Sequence, residues 1–185
     1  MRGVGEDVHR MHKEAGMSAM PRRTQGVVLI HSASKAMCRH IEWAIGSILG
    51  AEPTIDWTPQ PALRDHVRCE LSWTGGPGTG AAISSALRGW EGLRYEVTED
   101  PSPGYDGSRW QYTPSLGLAH FPTSANGDLY LTENRLRDLL DIAMGSPDAV
   151  FDMLGELLGD DYDAELEPFR YAGDGAPVRW LHKVG

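Results

Sequence analysis

Four consecutive apolar residues, Val27 to Ile30, constrain the fold of this chain more than any other feature. A β-strand turns alternate side chains toward the two faces of its sheet, so a strand without polar residues needs cover on both faces. The run is also far shorter than the roughly 20 apolar residues that a membrane-spanning helix requires. The pattern therefore predicts a central strand in a sheet that lies between other layers.

The elements after this strand are predicted in the order helix, strand, strand, helix, strand, as far as Val97. Apolar residues recur at helical spacing up to Gly50, and Ser32 or Ser34 is expected to cap this first helix. Apolar and polar residues alternate over residues 67–73, as in an antiparallel strand with one wetter face. This order predicts an α+β fold, a ferredoxin-like split βαβ (β-α-β-β-α-β) sandwich with a mostly antiparallel sheet.

Two further segments complete the predicted core. Ile55 and Trp57 alternate with polar neighbours and predict a strand that Pro59 ends. Residues 79–90 have apolar side chains at helical spacing and predict the second helix.

The C-terminal half of the sequence predicts an extension of this core. Short strands are expected around residues 110–112, 116–121 and 129–131. Two amphipathic helices follow, which Thr132 and Ser146 are expected to cap. We expect these helices to help cover the second face of the sheet.

The 185 residues are enough to bury one sizeable core, and the elements predict a single α+β domain over residues 25–185. Its βαββαβ core is assigned to residues 25–99, and a hairpin and helical elaboration to residues 100–185. Residues 1–24 lack sustained apolar periodicity and are predicted to be a flexible N-terminal extension.

Charge and composition argue against several classes of function. A formal net charge of -9 disfavours binding to nucleic acid or to an anionic membrane, since both require an excess of Lys and Arg. The two cysteines, Cys38 and Cys69, form no CxxC motif, which favours a reducing cytoplasm. The seven histidines are scattered, so no metal site is predicted, and no cofactor is either. The oligomeric state is left open.

A glycine-rich run, GGPGTG, lies at residues 75–80, where the second helix is predicted to begin. The N-terminus of a helix offers unpaired N–H groups to an anion, and glycines let the anion approach the backbone. Gly76, Gly78, Thr79 and Gly80 are therefore predicted to bind a ligand. The alternative, which the missing P-loop lysine favours, is a turn that needs a positive φ angle.

His31 follows the apolar run and has two serines close by, Ser32 and Ser34. Strand ends commonly border binding crevices, so these three residues are also predicted to bind a ligand. The alternative is a buried or capping histidine, since no orienting partner is visible in the sequence.

The last residues of the chain combine aromatic and basic side chains in an acidic protein. They are Phe169, Arg170, Tyr171, Arg179, Trp180, His182 and Lys183. Such groups hold anionic or planar ligands and dominate protein interfaces. The residues predicted to bind a ligand are Arg170, Tyr171, Arg179, Trp180 and His182. Alternatively, the aromatic residues complete the core while the arginines pair with Glu165 and Glu167.

Long segments of the chain resemble one family. They include LSWTGGPGTGAAISSALRGW from Leu71, LRYEVTEDPSPG from Leu93 and ELEPFRYAGDGAPVRWLH from Glu165. These segments resemble an actinobacterial family known as domain of unknown function 3145, over residues 26–183. The family's name carries no reaction, cofactor or catalytic residue. The resemblance implies a connection with type II fatty acid synthesis.

No catalytic constellation is recognised in the sequence, because Cys38 and His40 are two positions apart on a helix and cannot face each other. The favoured hypothesis is a non-catalytic binding or regulatory module that presents an aromatic and basic surface to a protein or an anionic small ligand. One alternative is an accessory component or enzyme of type II fatty acid synthesis that acts on acyl carrier protein or acyl-CoA. Another is a structural subunit of a larger assembly.

Overall fold

A computed structural model describes residues 22–170 as an α+β protein with an open sheet. The strands are β1 (Thr24–Ser34), β2 (Thr58–Pro59), β3 (His66–Gly75), β4 (Arg94–Glu99), β5 (Gly107–Thr113) and β6 (Gly117–Thr123). The helices are α1 (Cys38–Leu49), α2 (Thr79–Leu87), α3 (Glu133–Ala143), α4 (Pro147–Leu158) and α5 (Asp160–Arg170). The predicted N-terminal extension lies outside the described residues except for its last three positions.

The six strands form one sheet in the order β2-β3-β1-β4-β5-β6, and every neighbouring pair is antiparallel. The apolar run lies in β1, between β3 and β4, so its predicted interior position is confirmed. Val28 and Ile30 are buried on one face of the sheet, while Val27 and Leu29 are half-buried on the other.

Helices α1 and α2 cover the face on which Val28 and Ile30 lie. Their buried residues pack with those of β1, β3, β4 and β5 into the main hydrophobic core. Gly50 ends α1 with a left-handed φ of 78°, as its position predicts. Ser34 precedes a short 3₁₀ turn without a side-chain capping bond, and Ser32 lies inside β1, so neither serine caps α1 as expected.

Helix α5 covers the opposite face of the sheet and contacts β1 and β5. Leu166 of α5 is fully buried there. We expected α3 and α4 to provide this cover, but α3 packs on α4, and α4 packs on α5. The sequence therefore indicated correctly that the second face is covered, but it did not predict α5, the helix that contacts the sheet there.

The remaining differences concern short strands at the margins of the sheet. The second strand is only two residues long and begins after Trp57. The strand expected at residues 129–131 is reduced to a single bridge between Thr123 and Leu129. Pro59 and Pro61 have no backbone N–H to donate, so β2 is limited to a short edge strand.

Candidate functional site

A buried carboxylate, Glu96 of β4, lies at the centre of a polar cluster between the sheet and α5. Its neighbours on the same face are Arg109 and Gln111 of β5, because alternate residues of neighbouring strands share a face. Arg109 Nη2 donates to Glu96 Oε1 at 3.0 Å, and Gln111 Nε2 donates to the same oxygen at 2.8 Å. Arg170 of α5 donates from Nε to Glu96 Oε2 at 3.2 Å and from Nη2 to Oε1.

A second carboxylate, Asp163 of α5, completes the cluster from above the sheet. Its Oδ1 lies 2.9 Å from Arg109 Nη2, 3.0 Å from Gln111 Nε2 and 2.8 Å from Arg170 Nη2. We call these residues, with His31, the charge cluster: His31, Glu96, Arg109, Gln111, Asp163 and Arg170. Two carboxylates and two guanidinium groups balance each other, which a buried site requires.

The environment of Glu96 favours its ionised form. Burial works to raise the pKa of this carboxyl, but the hydrogen bond and charge of His31 and the charges of Arg109 and Arg170 hold the pKa well below its usual range. Both carboxylate oxygens already accept hydrogen bonds. A carboxylate with so low a pKa is a poor proton carrier near neutral pH, and the hydrogen bonds of Glu96 tie α5 to the sheet.

The structure brings only one of the three predicted residues at the end of β1 into this cluster. His31 is buried, and its Nε2 lies 2.7 Å from Glu96 Oε2. The Ser32 side chain is fully buried, and its Oγ has no hydrogen-bond partner within the described part of the chain. Ser34 is half-buried at the end of the strand. Ligand binding by these residues stays a prediction.

The glycine-rich run holds an anion that belongs to the chain itself. The backbone N–H groups of Gly78 and Gly80 each donate to the Glu99 carboxylate at 2.7 Å. Gly78 has a φ of 90°, as the turn interpretation requires, and the Thr79 hydroxyl donates to the Gly76 carbonyl at 2.7 Å. The N-terminus of α2 thus binds the end of β4, which orients the helix on the sheet.

Only one of the five predicted C-terminal ligand-binding residues, Arg170, lies within the described residues. Tyr171, Arg179, Trp180 and His182 fall outside them. Arg170 is buried and pairs with Glu96 and Asp163, so the expectation that it pairs with Glu165 or Glu167 is wrong. Its guanidinium group lies in the charge cluster.

A large apolar surface lies on α3, α4 and the turn that joins them. Its members are Leu136, Leu140, Met144, Phe151 and Leu158, which we call the hairpin surface. Their side chains are 39–89% exposed. The apolar stripe of α4 is half-buried at Val150, Met153, Leu154 and Leu157, while Phe151 and Leu158 are exposed. Exposed apolar patches of this kind often mark interaction sites, so the hairpin surface is a candidate docking site.

Sequence analysis predicted the apolar stripes of α3 and α4 but took both to face the core. Thr132 and Ser146 cap the helices as expected, accepting hydrogen bonds from Arg135 N and Ala149 N. The signal that could have revealed this exposure is the number of amphipathic helices after β6. Three amphipathic helices follow β6, and α5 is the one that packs on β1 and β5 at the second face of the sheet.

Pockets, metal-binding clusters and membrane-spanning helices are small or absent among the described residues. A polar cleft of about 130 Å³ opens beside the ends of β4, β5 and β6, which is small beside the roughly 300–1,000 Å³ of typical ligand pockets. Within residues 22–170, no group of three or more His, Cys, Asp or Glu side chains is arranged to hold a metal ion. None of the described helices has the length and apolar character needed to cross a bilayer. Burial raises the pKa of the Cys69 thiol to about 12, which makes it unreactive.

The fold and these sites define an α+β protein with an antiparallel six-stranded sheet, a charge cluster under one helix and an exposed helical hairpin. The chain belongs to the family described as "Protein of unknown function (DUF3145)", whose sequence model matches residues 27–183. This confirms the family that the sequence segments indicated. No curated protein and no solved structure matches the chain.

Proposed function

We propose that this protein is a non-catalytic binding module that docks a partner protein on the hairpin surface. The observation that carries the proposal is the exposure of five large apolar side chains on α3, α4 and the turn between them, while the two helices pack mainly on each other and on α5. Removing apolar surface from water contributes about 25 cal/mol per Å², so a partner that covers these side chains gains substantial binding energy.

The charges around the hairpin surface describe the partner. Helices α3 and α4 carry six exposed acidic residues: Glu133, Asp138, Asp141, Asp148, Asp152 and Glu156. Their two basic residues are Arg135 and Arg137, of which Arg137 pairs with Glu133. An apolar stripe with an acidic rim favours a partner whose contacting surface is apolar with basic residues around it, such as a basic amphipathic helix.

The charge cluster supports this role by fixing the position of the hairpin. Helix α4 packs on α5, and α5 is tied to the sheet through Asp163 and Arg170. A docking surface on a rigid support loses less conformational entropy on binding than one on a loose segment. The cluster thus supports the docking surface indirectly, because it holds α5 in place on the sheet.

We also infer that β1 to β4, with α1 and α2, form a ferredoxin-like split βαβ unit. The strand order β2-β3-β1-β4 and the antiparallel pairing of neighbours support this inference. An aromatic and basic surface at the C-terminus, an anionic small ligand, a connection with type II fatty acid synthesis and a cytoplasmic location stay predictions. Nothing specific in the described residues favours them over protein docking.

The test uses two variants that add the same charge at different surfaces. The hairpin variant carries Leu140→Asp and Phe151→Asp, and the control carries Ser47→Asp and Ser85→Asp on exposed positions of α1 and α2. Each protein is used to capture partners from the native host, and a partner found this way is then purified and titrated against all three proteins by calorimetry.

We expect the hairpin variant to bind the partner at least tenfold more weakly than the wild type, while the control binds normally. Tenfold corresponds to about 1.4 kcal/mol, which is the loss of one good interface residue. Equal affinity of the hairpin variant and the wild type would contradict the proposal. An unfolding temperature equal to that of the wild type shows that each variant is folded.

A further inference from the structure

A segment of the chain outside the described residues, 178–183, has the composition that the hairpin surface calls for. Its sequence, VRWLHK, combines three apolar residues with Arg179, His182 and Lys183, and it contains no acidic residue. Tryptophan and arginine are the residue types most enriched in interface hot spots. The family's sequence model extends through residue 183, so the segment is part of the sequence that defines the family.

The acidic rim of the hairpin surface has charge to spare for such a segment. Of the six acidic residues on α3 and α4, only Glu133 forms an ion pair within the described part of the chain. Asp148 precedes Phe151 by three positions on α4, so an unpaired carboxylate and an exposed aromatic ring share one side of the helix. An apolar segment with basic residues complements both groups.

Residues 171–178 are long enough to bring this segment to the hairpin surface. Helix α5 follows α4 after Gly159 and ends at Arg170, so its far end lies about 17 Å from that junction. The chain from Arg170 to Arg179 can span up to about 30 Å. Arg179 can therefore return past Gly159 and along α4 to Phe151, even by the longest route along α5.

We propose that residues 178–183 occupy the hairpin surface of their own chain, and that a partner protein must displace them to bind. This inference rests on the proposed function and names the regulation of that site. A tethered segment has an effective concentration in the millimolar range, so weak contacts are enough to keep it on the surface. The apparent affinity for a partner falls with the fraction of molecules whose surface is free, about tenfold if the segment covers nine-tenths of them.

A labelled peptide with the sequence of residues 176–185, titrated by fluorescence anisotropy, tests this arrangement. The tail variant of the full chain carries Arg179→Glu and Trp180→Ala, and a matched control carries Arg64→Glu and Trp43→Ala at exposed positions. We expect the peptide to bind the tail variant about tenfold more tightly than it binds the wild type or the control, because only the tail variant leaves the surface free. Adding Leu140→Asp and Phe151→Asp to the tail variant should abolish binding.

A crosslink in the purified protein locates the segment directly. Benzoylphenylalanine is placed at position 151, and an equimolar mixture of nitrogen-14 and nitrogen-15 protein is irradiated. We expect mass spectrometry to find position 151 joined to residues 178–183 of the same isotope. A product of mixed isotopes would mean that a second copy supplies the segment, which contradicts occupation by the same chain.

The titration has its own contrary results. Equal affinity of the peptide for the wild type and the tail variant overturns the proposal, and so does binding that survives Leu140→Asp and Phe151→Asp. Circular dichroism equal to that of the wild type shows that the variants are folded, and Arg179→Glu alone provides a milder tail variant. If the peptide binds none of these proteins but another protein binds the wild type and is lost with the hairpin variant, this regulation is wrong while the proposed function stands.

Discussion

Glu96 shows how a charged residue can be buried at acceptable cost. The carboxylate is surrounded by two guanidinium groups, a histidine and a glutamine amide, so each of its oxygens is paired. A buried ion network of this kind contributes little net stability when complete, but it becomes costly when one member is removed. The residue therefore enforces one arrangement of α5 on the sheet.

Substitution of Glu96 by Gln should destabilise the protein strongly. The change keeps the shape of the side chain but leaves Arg109 and Arg170 with one carboxylate between them. We expect a loss of about 3–5 kcal/mol in the free energy of unfolding, measured with urea. Glu167→Gln, at an exposed position of the same helix that supplies Arg170, serves as the control and should change stability by less than about 0.5 kcal/mol. If Glu96→Gln lowers the free energy of unfolding by less than about 1 kcal/mol, the cluster does not hold α5 on the sheet.

The stabilising effect of Glu96 should also depend on pH. The pKa of this carboxyl is lower in the folded than in the unfolded chain, so the unfolded chain binds more protons as the pH falls. The stabilisation is thus fully present above the ordinary glutamate pKa, about 4.3, and is lost as the pH falls through the folded value. Urea titrations should show the stability difference between wild type and Glu96→Gln shrinking below about pH 4. A stability difference between the two proteins that grows as the pH falls would contradict this prediction.

At the scale of elements, β1 and β4 approach each other unusually closely at Gly26. A Cβ atom at this position would lie 1.9 Å from the Thr98 carbonyl oxygen and 2.6 Å from the Trp73 ring. The carbonyl is backbone and cannot rotate away, so the strands must separate. This glycine is needed for close packing, since its own φ angle is not in the left-handed region.

Gly26→Ala should therefore lower the free energy of unfolding by more than about 3 kcal/mol, at the upper end of the usual cost of overpacking. Gly76→Ala is a suitable comparison, because no atom lies within 4 Å of its added Cβ and its φ angle is not left-handed. It should change stability by less than about 0.5 kcal/mol. Equal effects of the two substitutions, measured by urea unfolding, would mean that β1 and β4 can adjust.

The contrast between α1 and α5 explains what the sequence could predict at this scale. Helix α1 is anchored by Ile41, Ile45 and other apolar residues whose spacing is visible in the sequence. Helix α5 is anchored by the buried Leu166 and also by Asp163 and Arg170, whose charges suggest solvent exposure in the sequence. Glu96, the partner of Arg170, is 74 positions away in the sequence, and only the folded sheet brings the two together.

At the scale of the whole molecule, local patterns predict elements but do not decide which of them compete for the same surface. The caps and apolar periods of α3 and α4 are visible in the sequence, and both helices form as expected. Whether their apolar residues are buried depends on which element packs on the second face of the sheet. Because α5 does so, the apolar residues of the hairpin surface remain exposed.

The whole molecule is layered: α1 and α2 cover one face of the sheet, and α5 holds the hairpin surface on the other side. The charge cluster lies between the sheet and α5 and positions that helix.

A photo-crosslinking residue at position 151 shows whether the hairpin surface is occupied in the cell. Benzoylphenylalanine replaces Phe151 in one protein and Arg64, whose side chain is 96% exposed, in another. We expect irradiation to join position 151 to one defined protein, identified by mass spectrometry as a second copy or another chain with a basic and apolar contact surface. Position 64 should give no such product. The absence of a product at position 151, or the same product at both positions, would contradict the role assigned to the hairpin surface.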